Sequence, residues 1–210
     1  MAGDNLTLTT RLYMATVTPP SFSLPIIARE DLEQNANKLF EIAPRSLFVF
    51  DSGAVLPTAG ATDDLGFYQG THGSAFPYVG TGDFKASSIT RKARFTFTLP
   101  PEYVSDGAVF VRFRAGMVTT VADTSCTIDA EAFKASTSAG ATVSGTDLVT
   151  TSATTINSLT WSNVDFAITS AGLVSGDEID VLTTITGVDA ATATAVIAGF
   201  RAFVGCTIRG

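Results

Sequence analysis

From about Thr90 onward, apolar and polar residues alternate with a period of two. Ala93, Phe95, Phe97 and Leu99 alternate with Arg94, Thr96 and Thr98, and Pro100-Pro101 ends the run because proline has no amide to give a ladder. After the turn Ser105-Asp106-Gly107, Val109, Val111 and Phe113 alternate with Phe110, Arg112 and Arg114 as far as Gly116, a second strand expected to pair with the first. Cys126, Ile128, Ala130 and Ala132 alternate with Thr127, Asp129 and Glu131, and the Ser/Thr/Gly/Ala stretch Ser136 to Gly145 reads as a loop. Asp147 to Thr151, Ser158 to Thr169 and Glu178 to Thr186 continue the pattern, with turns at Ala171-Gly172 and Ser175-Gly176. The last strand sets Phe200, Ala202, Val204, Cys206 and Ile208 against Arg201, Phe203, Thr207 and Arg209. Short strands about every 8–12 residues predict an all-β fold, an antiparallel sandwich or barrel rather than a βαβ fold. On this pattern Phe97 faces the core, and Phe97→Ala should cost about 3–5 kcal/mol.

The first ninety residues differ in kind. Leu6 to Val17 has the character of a strand, and Pro19-Pro20 and Pro25 hold an extended link. Leu32, Ala36, Leu39 and Phe40 recur at helical spacing, acidic residues precede them and Pro44 follows, which predicts one short helix over Arg29 to Ile42. Asp51 to Gly82 is a long glycine-punctuated stretch of the kind that is functional or borrowed by a neighbour. The expected division is an N-terminal arm with a short helix over residues 1–45 and one sandwich over residues 46–210.

Composition narrows the function. Of 210 residues, 45% are hydrophobic and 31 are threonine, so the chain folds, and β-branched residues favour strands. Charged residues make up only 16%, against about 25% in an average domain. With 13 Lys and Arg against 20 Asp and Glu, the net charge of -7 lacks the footprint of a nucleic-acid binder. Neither an apolar run of about 18 residues nor a signal peptide is found, so no membrane partner and synthesis in the cytoplasm are expected. Cys126 and Cys206 lie in no ligand spacing and read as two reduced, packed thiols.

Catalytic signals are poor. His72, the single histidine, lies in a Gly-flanked loop without a nucleophile motif. Glu178 and Asp180 share a strand face, but two carboxylates at that spacing more often mark a solvated edge than a glycosidase pair. With Asp177 they offer oxygen ligands for Ca²⁺ without the loop motif that would specify it. Gly80-Thr81-Gly82 reads as a turn. Arg91, Lys92 and Arg94 read as the solvent face of one strand. Exposed aromatic platforms would suit sugar binding, and the candidates are Trp161, Tyr68, Tyr78 and Phe76. Between Lys134 and Arg201 no basic residue occurs, leaving an acidic, Thr-rich surface.

Leu99-Pro100-Pro101-Glu102-Tyr103, Gly107 to Gly116 (GAVFVRFRAG), Val121 to Lys134 (VADTSCTIDAEAFK), Ser158 to Val174 (SLTWSNVDFAITSAGLV), Gly176-Asp177 and Ala191 to Ile197 (ATATAVI) resemble jelly-roll virion proteins of tailed bacteriophages. The likeness also touches Thr62 to Gly66 and Gly80 to Lys85, and so covers about residues 46–210. It implies a jelly-roll-like β-sandwich that decorates or cements a capsid, or forms a head fibre or tail appendage. It implies no enzyme activity, catalytic residue or cofactor. The expected partners are further copies of the chain, a trimer being the expected homo-oligomer, and the major capsid protein or other virion proteins. The alternative expectation is a carbohydrate-binding β-sandwich that attaches the particle to its host through Trp161, Tyr68 and Tyr78.

Overall fold

Each alternating run becomes a strand that covers one side of a shared core. The computed structural model describes residues 36–135 and 143–209. Its strands are β1 (Ala36–Ile42), β2 (Gly66–Tyr68), β3 (Tyr78–Gly80), β4 (Ser88–Thr98), β5 (Val109–Met117), β6 (Ser125–Ala135), β7 (Val143–Ser144), β8 (Thr154–Thr155), β9 (Ser162–Ile168), β10 (Glu178–Val188) and β11 (Ala198–Ile208). Sheet one has the order β9-β5-β11-β3-β2, with β1 also on β11, and sheet two the order β4-β10-β6-β7, with β8 on β6. The two antiparallel sheets face each other as a jelly-roll-like sandwich whose compact unit is Asn37–Ile208.

The long strands alternate between the layers: β4, β6 and β10 lie in sheet two, and β5, β9 and β11 in sheet one. The expected pairing of β4 with β5 is therefore corrected. β4 pairs with β10, and β5 lies between β9 and β11. The link between them crosses from one layer to the other. Leu99 N donates to Asp177 O beside sheet two, and Val104 N donates to Thr207 O on sheet one. Tyr103 pins the crossing, its buried ring ending in a hydroxyl that donates to Gly107 O at 2.7 Å.

Between the layers, Phe113 of β5 meets Phe166 of β9 and Phe200 of β11 edge to face, with ring centroids 5.7 and 5.1 Å apart. Phe95, Ile128, Ile179, Val181 and Ile185 of sheet two are fully buried in the same core. Phe97 is only half-buried, so the residue that anchors β4 is Phe95.

Residues 36–42 form strand β1 where helical spacing predicted the second half of a helix. The edge of β11 offers hydrogen-bond partners that outweigh a weak local preference. Thr207 donates its hydroxyl to Asn37 Oδ1 at 2.8 Å, and Arg201 pairs with Glu41 at 2.6 Å. A single 3₁₀ turn, Pro44–Ser46, follows. The remainder of that expected helix, the arm over residues 1–35 and most of the expected loop at Ser136 to Gly145 lie outside the described residues.

Candidate functional site

Strand alternation gives the two outer faces opposite characters. On sheet one, β5 turns Phe110, Arg112 and Arg114 outward and β11 turns out Arg201, Phe203 and Thr207. The register sets Arg114 opposite Arg201, and Arg112 between Asp165 and Phe203. On sheet two the outward residues include Thr90, Thr96, Thr98, Thr127, Asp129, Glu131, Glu178, Asp180, Thr184 and Thr186, with Lys92 and Arg94 and the apolar Phe133 and Leu182.

Several outward positions of sheet one are glycines, each lying under an aromatic ring. Phe110 covers Gly205, Tyr78 covers Gly199, and Trp161 covers Gly116. A glycine in a strand leaves its neighbours without a side chain to pack on, and a cross-strand aromatic restores that contact. Arg112 lies 5.4 Å over Phe110, while Arg201 lies 5.7 Å over Phe203 and 5.1 Å over Phe76, which is 75% exposed. Arg112 also grips Asp165 through two hydrogen bonds of 2.7 and 2.6 Å.

Tyr68, Tyr78 and Trp161 come together at one end of this face. The tyrosine rings stack with centroids 4.8 Å apart, and Trp161 meets Tyr78 edge to face at 6.0 Å. All three are half-buried, and the Trp161 Nε1 donates to Met117 O at 3.0 Å. Burial raises both phenols above their ordinary range. For Tyr78 the neighbouring Tyr68 adds to the rise, while for Tyr68 the backbone at Gly60 and Gly82 and the Arg91 charge oppose it.

The tyrosines line a depression of about 670 Å³ along the β2 edge of the sandwich. Its far wall comes from the segment between β1 and β2. There Arg45 lies 4.6 Å over the Phe67 ring and donates to Gln69 Oε1 at 2.9 Å. A second depression, of about 600 Å³, adjoins it at Gln69, Gly70 and Ala75 and includes His72. Arg45, Phe67 and Gln69 were not singled out from sequence, because nothing local marks residues whose neighbours lie twenty positions away.

The other sequence candidates lie apart. His72 is exposed in a turn closed by hydrogen bonds from Ser74 N and Ala75 N to Thr71 O. Asp180 is engaged by Arg94 and Asp177 by Lys134, each at 2.7 Å, while Glu178 is exposed. No group of three ligating side chains able to hold a metal ion is found among the described residues. Lys92 and Arg94 face outward over Phe50 and Phe48, at 4.9 and 5.8 Å. Arg91 does not join them on the solvent face. It is in phase with Ala93 and Phe95 and points inward at the end of the sandwich, 9% exposed, donating to Gly60 O at 2.9 Å and Thr62 O at 3.3 Å. Cys126 and Cys206 are buried free thiols, one in each sheet.

No family model and no curated protein matches the chain. Among solved structures it is similar to the CBM22-1 xylan-binding domain of Paenibacillus barcinonensis Xyn10C, with a TM-score of 0.43 and 8% identity over 85% of this chain and 97% of that one. It is also similar to a chain of the infectious bursal disease virus Gx strain, with a TM-score of 0.26 and 10% identity over 78% of this chain and 40% of the viral one. The chain is an all-β protein built as an antiparallel, jelly-roll-like sandwich.

Proposed function

We propose that the chain is a non-enzymatic structural protein of a tailed-bacteriophage virion, a homo-oligomer that decorates or cements the capsid through protein–protein contacts. The observation that carries this reading is the outer face of sheet one, where Phe110, Phe203, Tyr78 and Trp161 stand among Arg112, Arg114 and Arg201 with no lysine on β5, β9 or β11. Aromatic residues and arginine are enriched at protein interfaces and lysine is depleted, because rigid rings and planar guanidinium groups bury large areas at low entropic cost. β1 runs along the same sheet. The Thr-rich face of sheet two, where charges of both signs pair, is left toward solvent. The test is incorporation into particles, read by electron microscopy and by binding to particles stripped of the protein. Arg114→Glu combined with Phe203→Ser should lower occupancy at least tenfold at unchanged thermal stability; particles carrying the double variant at full occupancy would overturn the reading.

A second reading, a carbohydrate-binding sandwich used in host attachment, is favoured by one observation. Tyr68, Tyr78 and Trp161 form a continuous aromatic cluster, and both tyrosines line the depression beside β2. Retention of wild-type protein on host glycans, lost on Tyr68→Ala, supports it. Absence of retention on every glycan and envelope fraction rejects it.

A further inference from the structure

The two adjoining depressions along β2 share one property. Neither has an Asp or Glu in its lining, although the chain carries 20 acidic residues. At the wall of the first stands Arg45, which is exposed and, like Arg114, has no acidic partner among the described residues, whereas Arg94, Arg112 and Arg201 each hold a carboxylate. Stacking on Phe67 and the hydrogen bond to Gln69 fix the plane of the Arg45 guanidinium, so an incoming anion meets an oriented fork of donors whose rotamer freedom is already spent. Tyr68 and Tyr78 add aromatic surface to the same wall. The depressions share Gln69, Gly70 and Ala75, so the groove beside Arg45 adjoins a second opening.

We propose that this groove binds a carboxylate-bearing polysaccharide, with Arg45 clasping the sugar carboxylate and Tyr68 and Tyr78 packing against the pyranose rings; this rests on the carbohydrate-binding reading. The probes are polygalacturonate, the same polymer with its carboxyls methyl-esterified, and an array of acidic and neutral glycans, measured by calorimetry and affinity electrophoresis. Wild-type protein should bind acidic polymers, with methyl esterification or Arg45→Gln each weakening binding roughly tenfold or more, the scale of a lost charge-assisted bidentate contact. Arg45 is exposed, so Arg45→Gln should melt with the wild type, which separates a lost contact from a lost fold. Equal binding of the charged and esterified polymers, or unchanged binding by Arg45→Gln, overturns the proposal and leaves the carbohydrate-binding reading standing. No retention on any acidic or neutral glycan overturns both.

Discussion

Trp161 lies directly over Gly116: a Cβ built on that glycine would sit 2.7 Å from the indole Cδ1. The same Cβ would sit 2.9 Å from Ser158 O, so strand β5 admits nothing larger at position 116 without displacing the ring and the backbone that carries it. Gly116→Ala should cost about 1–3 kcal/mol as an overpacking change. Trp161 is the only tryptophan, so its emission should shift to the red in the same variant. Unchanged fluorescence and melting temperature would show that the ring is not held there.

Thr183 is in phase with Ile179, Val181 and Ile185, fully buried, and its Oγ1 has no hydrogen-bond partner. An unpaired buried hydroxyl bears its desolvation cost without return. Thr183→Val is nearly the same shape and should stabilise the sandwich by about 1 kcal/mol. Chemical denaturation checks the sign, and a destabilised variant would refute the account.

The two phenylalanines of β4 make a graded pair. Phe95 is fully buried, and Phe95→Ala should cost about 3–5 kcal/mol, whereas half-buried Phe97→Ala should cost about half as much. Denaturation of the two variants side by side measures the difference. Equal losses would place both rings in the core.

Asp189 is 2% exposed and its carboxylate ties three loops together. Burial works to raise its pKa, but the Thr192 hydroxyl and the amides of Ala86, Asp123 and Thr192 outweigh burial and hold the group at about 2, below its ordinary 3.8. A carboxyl depressed in the folded state contributes stability above its unfolded value and loses it as pH falls through the folded one. Melting temperature should therefore decline between about pH 4 and pH 2. Asp189→Asn should melt lower at neutral pH and converge on the wild type in acid. Parallel melting curves for the two proteins across that window would exclude the carboxylate as the source.

Burial pushes the Cys126 thiol up to about 12 and raises Cys206 as well. Since the thiolate is the reactive form, neither should react with a disulfide reagent at pH 8 in the native protein, and both should react on unfolding. Rapid native labelling of one thiol would mean that its sheet opens locally.

The strands of the sandwich were legible because their alternation is an arithmetic consequence of having one wet and one dry side. Ala93 and Phe95, Val109, Val111 and Phe113, and Cys126, Ile128, Ala130 and Ala132 all face inward as the period demands. Pairing was not legible, since the turn Ser105-Asp106-Gly107 looks like a hairpin and yet lies in a crossing between layers. Arg91 follows the same alternation, but its charge argued for solvent, and the carbonyl oxygens that satisfy it belong to Gly60 and Thr62, far off in sequence. Of the candidate site, the aromatic members could be named from residue type alone. Their partners Arg45 and Gln69 emerge only once β2 is placed beside the segment that follows β1.

Strand β11 lies between β5 on one side and β1 and β3 on the other, and every earlier long strand is followed along the chain by a long strand of the opposite layer. No stable half of the molecule can then assemble from adjacent segments. Glu178 must find Thr98 and Val188 must find Ser88 before sheet two exists, and sheet one has no centre until Ala198–Ile208 has been made. Folding should accordingly be slow, in the millisecond-to-second range of proteins dominated by distant pairings. During synthesis sheet two has all its long strands once residue 188 is made, and sheet one waits for β11 to join β5 to β3.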